Sequence, residues 1–200
     1  MSNLFLEASQ KRRSIYALDT NTNLSNAQIT ETIQAAIAHS PSAFNSQTTK
    51  AVVLYGDESA KLWAIVLEAL RKVTPAEAFA ATEGKIASFN AGVGTVLFFE
   101  DTSIVSGLQA GFPLYADNFP LWSEQSAGIA AFAVWTALAQ ENIGGSLQHY
   151  SNLIEDEVKA AWELPAEWRL TAQMPIGNIA APAGDKEFAP IAERVLVFGE

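Results

Sequence analysis

The sequence predicts an α+β sandwich. Its hydrophobic periodicity gives much helix and few strands, and these elements do not alternate in the regular rhythm of a doubly wound sheet. At 200 residues the chain can bury one substantial core. No repeat, linker or low-complexity stretch divides it, so residues 1–200 are read as a single domain.

The elements follow in order. Residues 4–13 are amphipathic and predict a first helix, ending before the turn-rich stretch 19–23. Ser25 is a candidate N-cap, with Gln28 completing a capping box for a helix over 26–39 whose Ile29, Ile33, Ala36 and Ile37 have helical spacing. Pro41 breaks the chain into a polar segment, 40–47. A strand over 51–55, closed by Gly56 and Asp57, leads into a helix over 59–72. Thr74 then reads as the cap of a helix with Pro75 at its first position, running to Phe89 and stopped by Gly92. A buried strand over 95–99 precedes a short helix and loop over 102–119. Residues 120–141 form one long helix, apolar on every face between Ile129 and Leu138, which belongs in a core or a subunit interface. The remaining strand candidates are 170–175 and 194–198, separated by the Pro- and Gly-containing segment 177–190.

Composition excludes several functions. A net charge of -10 and a pI near 4.6 argue against nucleic acid, which is held mainly by Lys and Arg. Without cysteine, and with only His39 and His149 as nitrogen ligands, no metal site is expected. Ser2, Asn3 and Glu7 stand where a signal peptide needs its apolar run, and the uncharged, largely apolar stretch 125–140 is shorter than the roughly 20 residues of a membrane span. The expectation is a cytoplasmic protein with no membrane partner. Gly92-Val93-Gly94 precedes a strand and lacks a third glycine, so it is no dinucleotide fingerprint. No Gly-x-Ser-x-Gly elbow marks a hydrolase either.

Three polar constellations remain. Arg12-Arg13-Ser14 can hold a phosphate through charge-assisted hydrogen bonds, or, with Lys11, can simply favour a helix C-terminus. Ser42, Asn45 and Gln47 offer groups that suit the edge of a heteroaromatic ring, or a turn capping its own backbone. Asn142-Ile143-Gly144-Gly145-Ser146-Leu147-Gln148-His149-Tyr150 offers a sharp exit from the long helix, with glycines that allow close approach to a ligand and then a strand edge with exposed amides.

In this order and at these distances, the three resemble the FMN-dependent nitroreductase superfamily, and Leu147-Gln148-His149-Tyr150 is most similar to its short branch of fungal and bacterial stress-response members. The resemblance implies a sandwich with a central mixed, mainly antiparallel sheet flanked by helices, in an intertwined homodimer. Arg12, Arg13 and Ser14 match positions that contact the FMN phosphate and ribityl chain. Asn45, Gln47 and nearby Ser42 match positions at the isoalloxazine ring. Leu147, Gln148 and His149 match the backbone beside N5, the atom that accepts hydride. Lys186 resembles the late basic residue of the phosphate site, and Arg194 is the second candidate for it. Two departures stand out: Thr48-Thr49 replaces the Pro-Trp that often follows Asn-x-Gln, and Tyr16 stands where a Lys is common.

The implied function is NAD(P)H-dependent reduction of nitroaromatics, quinones or similar acceptors by a ping-pong mechanism in one pocket, in the setting of stress defence. The flavin carries the chemistry, so no catalytic side chain is assigned. Phe119 and Trp122 are candidates for capping a flat substrate, though aromatics at this spacing also serve cores. The alternative implied by the resemblance is a flavin-binding regulatory protein with little turnover, and a flavin-free acidic scaffold is a third reading.

Overall fold

The computed structural model describes residues 3–199. In chain order the elements are α1 (Leu4–Lys11), β1 (Leu18–Asp19), α2 (Asn26–Ala38), β2 (Thr49–Tyr55), α3 (Asp57–Arg71) and α4 (Ala76–Phe89). Then come β3 (Gly94–Asp101), α5 (Thr102–Gly111), α6 (Phe119–Gln140), β4 (Ile143–Gly145), α7 (Ser151–Ala161) and β5 (Trp168–Ile179).

β3 is central and apolar, and its residues through Glu100 are buried. It pairs antiparallel with β2 on one side and β5 on the other, so that Val96 faces Val53 and Met174. The end of β5 also pairs antiparallel with β1 and β4. An isolated parallel bridge joins Ser14 to Gly145. Among the described residues the strands of the sheet therefore pair antiparallel throughout, and the parallel contact is confined to that bridge. Strand alternation divides its side chains between two helical layers. Val96 and Phe98 pack with Ile29 and Ile33 of α2 and Val134 and Leu138 of α6. Leu97 and Phe99 pack with Trp63 and Val66 of α3, Phe89 of α4 and Ile154 of α7. The indole N–H of fully buried Trp63 donates to Thr95 Oγ1 at 2.9 Å, satisfying the polar edge of a large apolar side chain.

Most local readings hold, with shifted ends. The Ser25–Gln28 capping box is present. α1 stops at Lys11, leaving Arg12 extended. α3 starts at Asp57, because Gly56 turns the chain at φ 54. Pro75, rather than Thr74, occupies the N-cap of α4, and no side chain caps that helix. Gly92 does not stop α4, which has already ended at Phe89 with Asn90 as its C-cap. Glycine is required there because a Cβ would lie 2.2 Å from the Ile176 carbonyl oxygen of β5. Likewise the exit from α6 is made by Asn142 at φ 60, while a Cβ at Gly145 would meet the Pro175 carbonyl at 2.9 Å. The close approach these glycines allow is to the protein's own β5.

The 194–198 strand does not form. A short 3-10 turn, Ile191–Glu193, leads into an exposed segment in which Leu196 and Phe198 are 72% and 89% accessible. A strand is defined by a paired edge, and among the described residues of one chain this segment has none. β1, β4 and α7 are additional elements.

Replacing Gly92 with Ala forces β3 and β5 apart at their junction. We expect a loss of about 1–3 kcal/mol, the usual cost of overpacking, read as a lower urea midpoint with an unchanged slope.

Candidate functional site

Arg12, Arg13, Ser14 and Lys186 line one cleft of about 490 Å³, together with Tyr16, Gly184 and Asp185. The extended chain after α1 runs beside β4: Ile15 N–H donates to Gly145 O at 2.9 Å, and Trp135 Nε1 donates to the same oxygen at 3.1 Å. Arg12 is seated over the Trp135 ring at 4.2 Å, a contact worth about 0.5–2 kcal/mol. Its Nε is buried and has no hydrogen-bond partner among the described residues. Burial, with Arg13 beside it, lowers its pKa below the ordinary guanidinium value. A donor held in this way, without an acceptor, suits an incoming anion. Arg13 Nη2 donates to Gly184 O at 2.6 Å and so draws the Lys186 segment to the cleft. Lys11 takes the other role read from the sequence, at a neighbouring helix: its Nζ donates to Gln140 O at the C-terminus of α6. Arg194 is exposed on the tail and lines none of these clefts.

The 42–47 loop lines a different cleft, of about 210 Å³, through Ser42 and Gln47, beside Ser126 and Ala130 of α6. Its backbone is unusual, since Phe44, Asn45 and Gln47 have φ values of 58°, 48° and 51°. For a bulky residue such as Phe44 this conformation persists only when its surroundings enforce it. Ser42 Oγ accepts from Gln47 N–H at 3.0 Å, so Ser42 holds the turn and Asn45 is left exposed. Phe44 packs on Phe112, Tyr115, Phe119 and Trp122, with centroids 5.0–6.0 Å away. Its ring is stacked on Trp122 at 19°. Phe119 is buried beneath this cluster, at 2% accessible, so the surface offered to a ligand comes from Phe44, Phe112 and Tyr115 with half-buried Trp122.

After β4, Gln148 exchanges main-chain hydrogen bonds with Gln173 at 2.7 and 2.9 Å. By antiparallel alternation the amides of Leu147 and His149 then face away from β5. Both residues line a third cleft, of about 210 Å³, with Ala127, Gly128 and Ala131 of α6. The amide of Gln148 is thus committed, and those on either side of it are presented.

At about 100° per residue, Trp135 lies about 180° around α6 from Ser126. Ala127, Gly128 and Ala131 fall on the Trp135 side, and Phe119, Trp122 and Ala130 on the Ser126 side. Arg12 and the Leu147–His149 edge therefore share one face of α6, while the 42–47 loop and the aromatic cluster occupy the opposite face.

The model of the nitroreductase family matches residues 10–178. The chain belongs to the nitroreductase family. It is 33% identical to HBN1 of Saccharomyces cerevisiae over 186 residues, 92% of each chain. The nitroreductase CinD of Lactococcus lactis, solved with chloramphenicol, is 45% identical and superposes with a TM-score of 0.90, over 98% of this chain and all of that one. CinD has also been solved with 4-nitrophenol. An FMN-bound protein of Desulfovibrio desulfuricans shares the fold at 21% identity and a TM-score of 0.73, over 100% of this chain and 99% of that one. Membership makes this protein an oxidoreductase of the flavin-dependent nitroreductase type. Among the described residues no helix is long and apolar enough to cross a membrane.

In this nitroreductase the end of β3 carries two acidic residues that sequence reasoning missed. Glu100 is buried and accepts hydrogen bonds from the Thr49 and Ser123 hydroxyls. Asp101 is the N-cap of α5, accepting from Ser103 and Ile104 N–H. Burial pushes the Asp101 carboxyl up, but the Ser103 hydroxyl, the two amides and Lys50 outweigh it, and the pKa lies below the usual aspartate range. A depressed carboxyl pKa contributes stability that is complete above the unfolded value and is lost as pH falls through the folded one. We expect Asp101→Ala to cost about 1 kcal/mol at pH 7 and to lose that difference in acid. Asp101→Asn keeps the cap without the acid dependence, as thermal melts from pH 7 down to the acid limit would reveal.

Proposed function

We propose that this protein is an FMN-dependent NAD(P)H oxidoreductase that works as a homodimer on nitroaromatics, quinones or similarly electron-poor flat acceptors. The observation that carries the reading is the cleft in which Arg12, Arg13, Ser14 and Lys186 meet, where the Nε of Arg12 is buried without a partner among the described residues. The Leu147–His149 amides lie on the same side of α6. These residues fit FMN: the cations and Ser14 take the phosphate end, and the presented amides hold the edge of the ring. FMN, when bound, supplies the redox chemistry, accepting hydride from NADH or NADPH and passing electrons on to the acceptor. With that chemistry in the cofactor, the chain's own work is to bind, orient and exclude water.

The homodimer reading follows from the division across α6. Asn45 and Gln47, the candidates for the polar ring edge, stand on the face opposite Arg12, so one chain does not close the pocket by itself. A second copy supplies the missing loop. Leu121 and Ile129 remain 58% and 44% accessible on α6 in the single chain, which is apolar surface for such a contact. The aromatic surface of Phe44, Phe112 and Tyr115 favours flat acceptors by stacking, in keeping with the nitroaromatic ligands of CinD. One pocket serving donor and acceptor in turn gives ping-pong kinetics, and a role in stress defence is part of the same reading.

The test is an anaerobic absorption spectrum of the purified protein with FMN, before and after NADH or NADPH. Rapid bleaching, with colour restored by a nitroaromatic or quinone, is expected. Flavin that binds but stays oxidised with both nucleotides would favour the regulatory reading, and a protein that takes up no FMN would overturn the proposal. Arg12→Ala should weaken FMN binding about 10- to 100-fold, the equivalent of about 1.5–3 kcal/mol for a charge-assisted hydrogen bond. Flavin fluorescence quenching measures it directly.

A further inference from the structure

Glu100 follows Val96 and Phe98 on the α6-facing side of β3 and is 1% accessible. Its position is set by the ladder, in which Thr49 is its Cα partner on β2 and Arg169 its partner on β5. The ladder cation does not pair with it, because Arg169 reaches Glu124 instead. Among the described residues no cation bridges Glu100. Each carboxylate oxygen accepts from a different hydroxyl: Oε1 from Thr49 and Oε2 from Ser123 of α6.

Stability alone does not account for this arrangement. β2 is already joined to β3 along its whole length, and a buried carboxylate is costly where a leucine would pack without penalty. What the carboxylate does is connect two parts of the pocket. Thr49 lies two residues after Gln47, the last left-handed residue of the loop. Ser123 follows Trp122, on which Phe44 of the same loop is stacked. The connection thus forms a closed circuit from Gln47 through Thr49, Glu100, Ser123 and Trp122 back to Phe44. Thr49 is also one of the two threonines that stand in place of Pro-Trp.

We propose that Glu100 is a positioning residue that fixes the 42–47 loop against the aromatic cluster and thereby sets which acceptors the pocket takes. The proposal rests on the oxidoreductase reading for its substrate, while the connection itself is testable without cofactor. The carboxylate accepts at both ends, and both hydroxyls can also donate or accept. Glu100→Gln can therefore keep the bridge, with its amide oxygen accepting at one end and its NH₂ donating at the other. Glu100→Leu cannot. Thr49→Val and Ser123→Ala each cut one end and leave Glu100 in place.

The experiment has two readouts. In the apoprotein, amide hydrogen exchange across residues 43–47 should accelerate about tenfold in Glu100→Leu, Thr49→Val and Ser123→Ala, and stay near wild type in Glu100→Gln. In the FMN-loaded enzyme the same three variants should raise KM for a bulky nitroaromatic about tenfold, less than the roughly hundredfold that a 1 Å misplacement can cost. Because donor and acceptor use the same pocket beside this loop, flavin reduction by the nicotinamide should slow in the same three variants and stay near wild type in Glu100→Gln. The effects of Thr49→Val and Ser123→Ala should be strongly non-additive, because both act through one carboxylate. Unchanged loop exchange in Thr49→Val and Ser123→Ala overturns the proposal, as does a Glu100→Gln protein as perturbed as Glu100→Leu. If no variant, wild type included, reduces an acceptor, the oxidoreductase reading fails, and the exchange data still decide whether Glu100 holds the loop.

Discussion

The structure depends on α6, a helix with no charge between Gln125 and Gln140 that must be covered on nearly every side. An amphipathic helix needs one partner face; this one needs several. The sheet and α2 cover part of it through Val134 and Leu138. α1 and the residue that follows it cover another part, with Phe5 edge-on to Phe132 and Arg12 over Trp135. The 42–47 loop and the aromatic cluster lie along its N-terminal half. The candidate site residues lie on α6 itself, on the segments that cover it or beside β5, except Lys186, whose segment is drawn in by Arg13, and Arg194 on the exposed tail.

That constraint also explains why the polar groups are split. A guanidinium over Trp135 and hydroxyls near Ser126 are on opposite sides of one rod, and no adjustment of side chains brings them to a common ligand. The backbone around the rod is held firmly: Gly145 O accepts two donors, and glycines at 92 and 145 let strands approach where a Cβ would collide. The strain tolerated at Phe44, Asn45 and Gln47 stands out against this economy. Its support comes from local hydrogen bonds to Ser42, from aromatic packing and from the buried Glu100, all converging on one short loop.

Where information is local, the sequence was readable. The Ser25–Gln28 box and the featureless apolar centre of α6 are properties of neighbours in the chain. So is the adjacency of Arg12, Arg13 and Ser14, though not the division of labour that sends Lys11 to the C-terminus of α6. Where structure is defined by a distant partner, it was not. β1 and β4 are strands only because β5 passes beside them, and 194–198 has strand-like residues but no edge to join. α7 carries Ile154 and Val158 at helical spacing, a signal that the motif reading of the preceding residues obscured. Glu100 resembles the solvent end of an apolar strand, since nothing nearby in the chain announces that Thr49 and Ser123 will meet it. The left-handed Phe44 has no sequence signature at all.

A mixed dimer decides whether a second copy of the chain completes the proposed cofactor site. Arg12→Ala removes the anion site of one copy, and Asn45→Ala with Gln47→Ala removes the loop of the other; each protein alone should bind FMN poorly. Co-expressed with different tags and purified as the mixed species, they should regain one sound site per dimer, because the intact Arg12 of one copy meets the intact loop of its partner. Restored FMN binding at half the wild-type stoichiometry is the predicted result. Mixed dimers no better than either parent would mean that each site lies within a single chain and that the second copy contributes nothing to it.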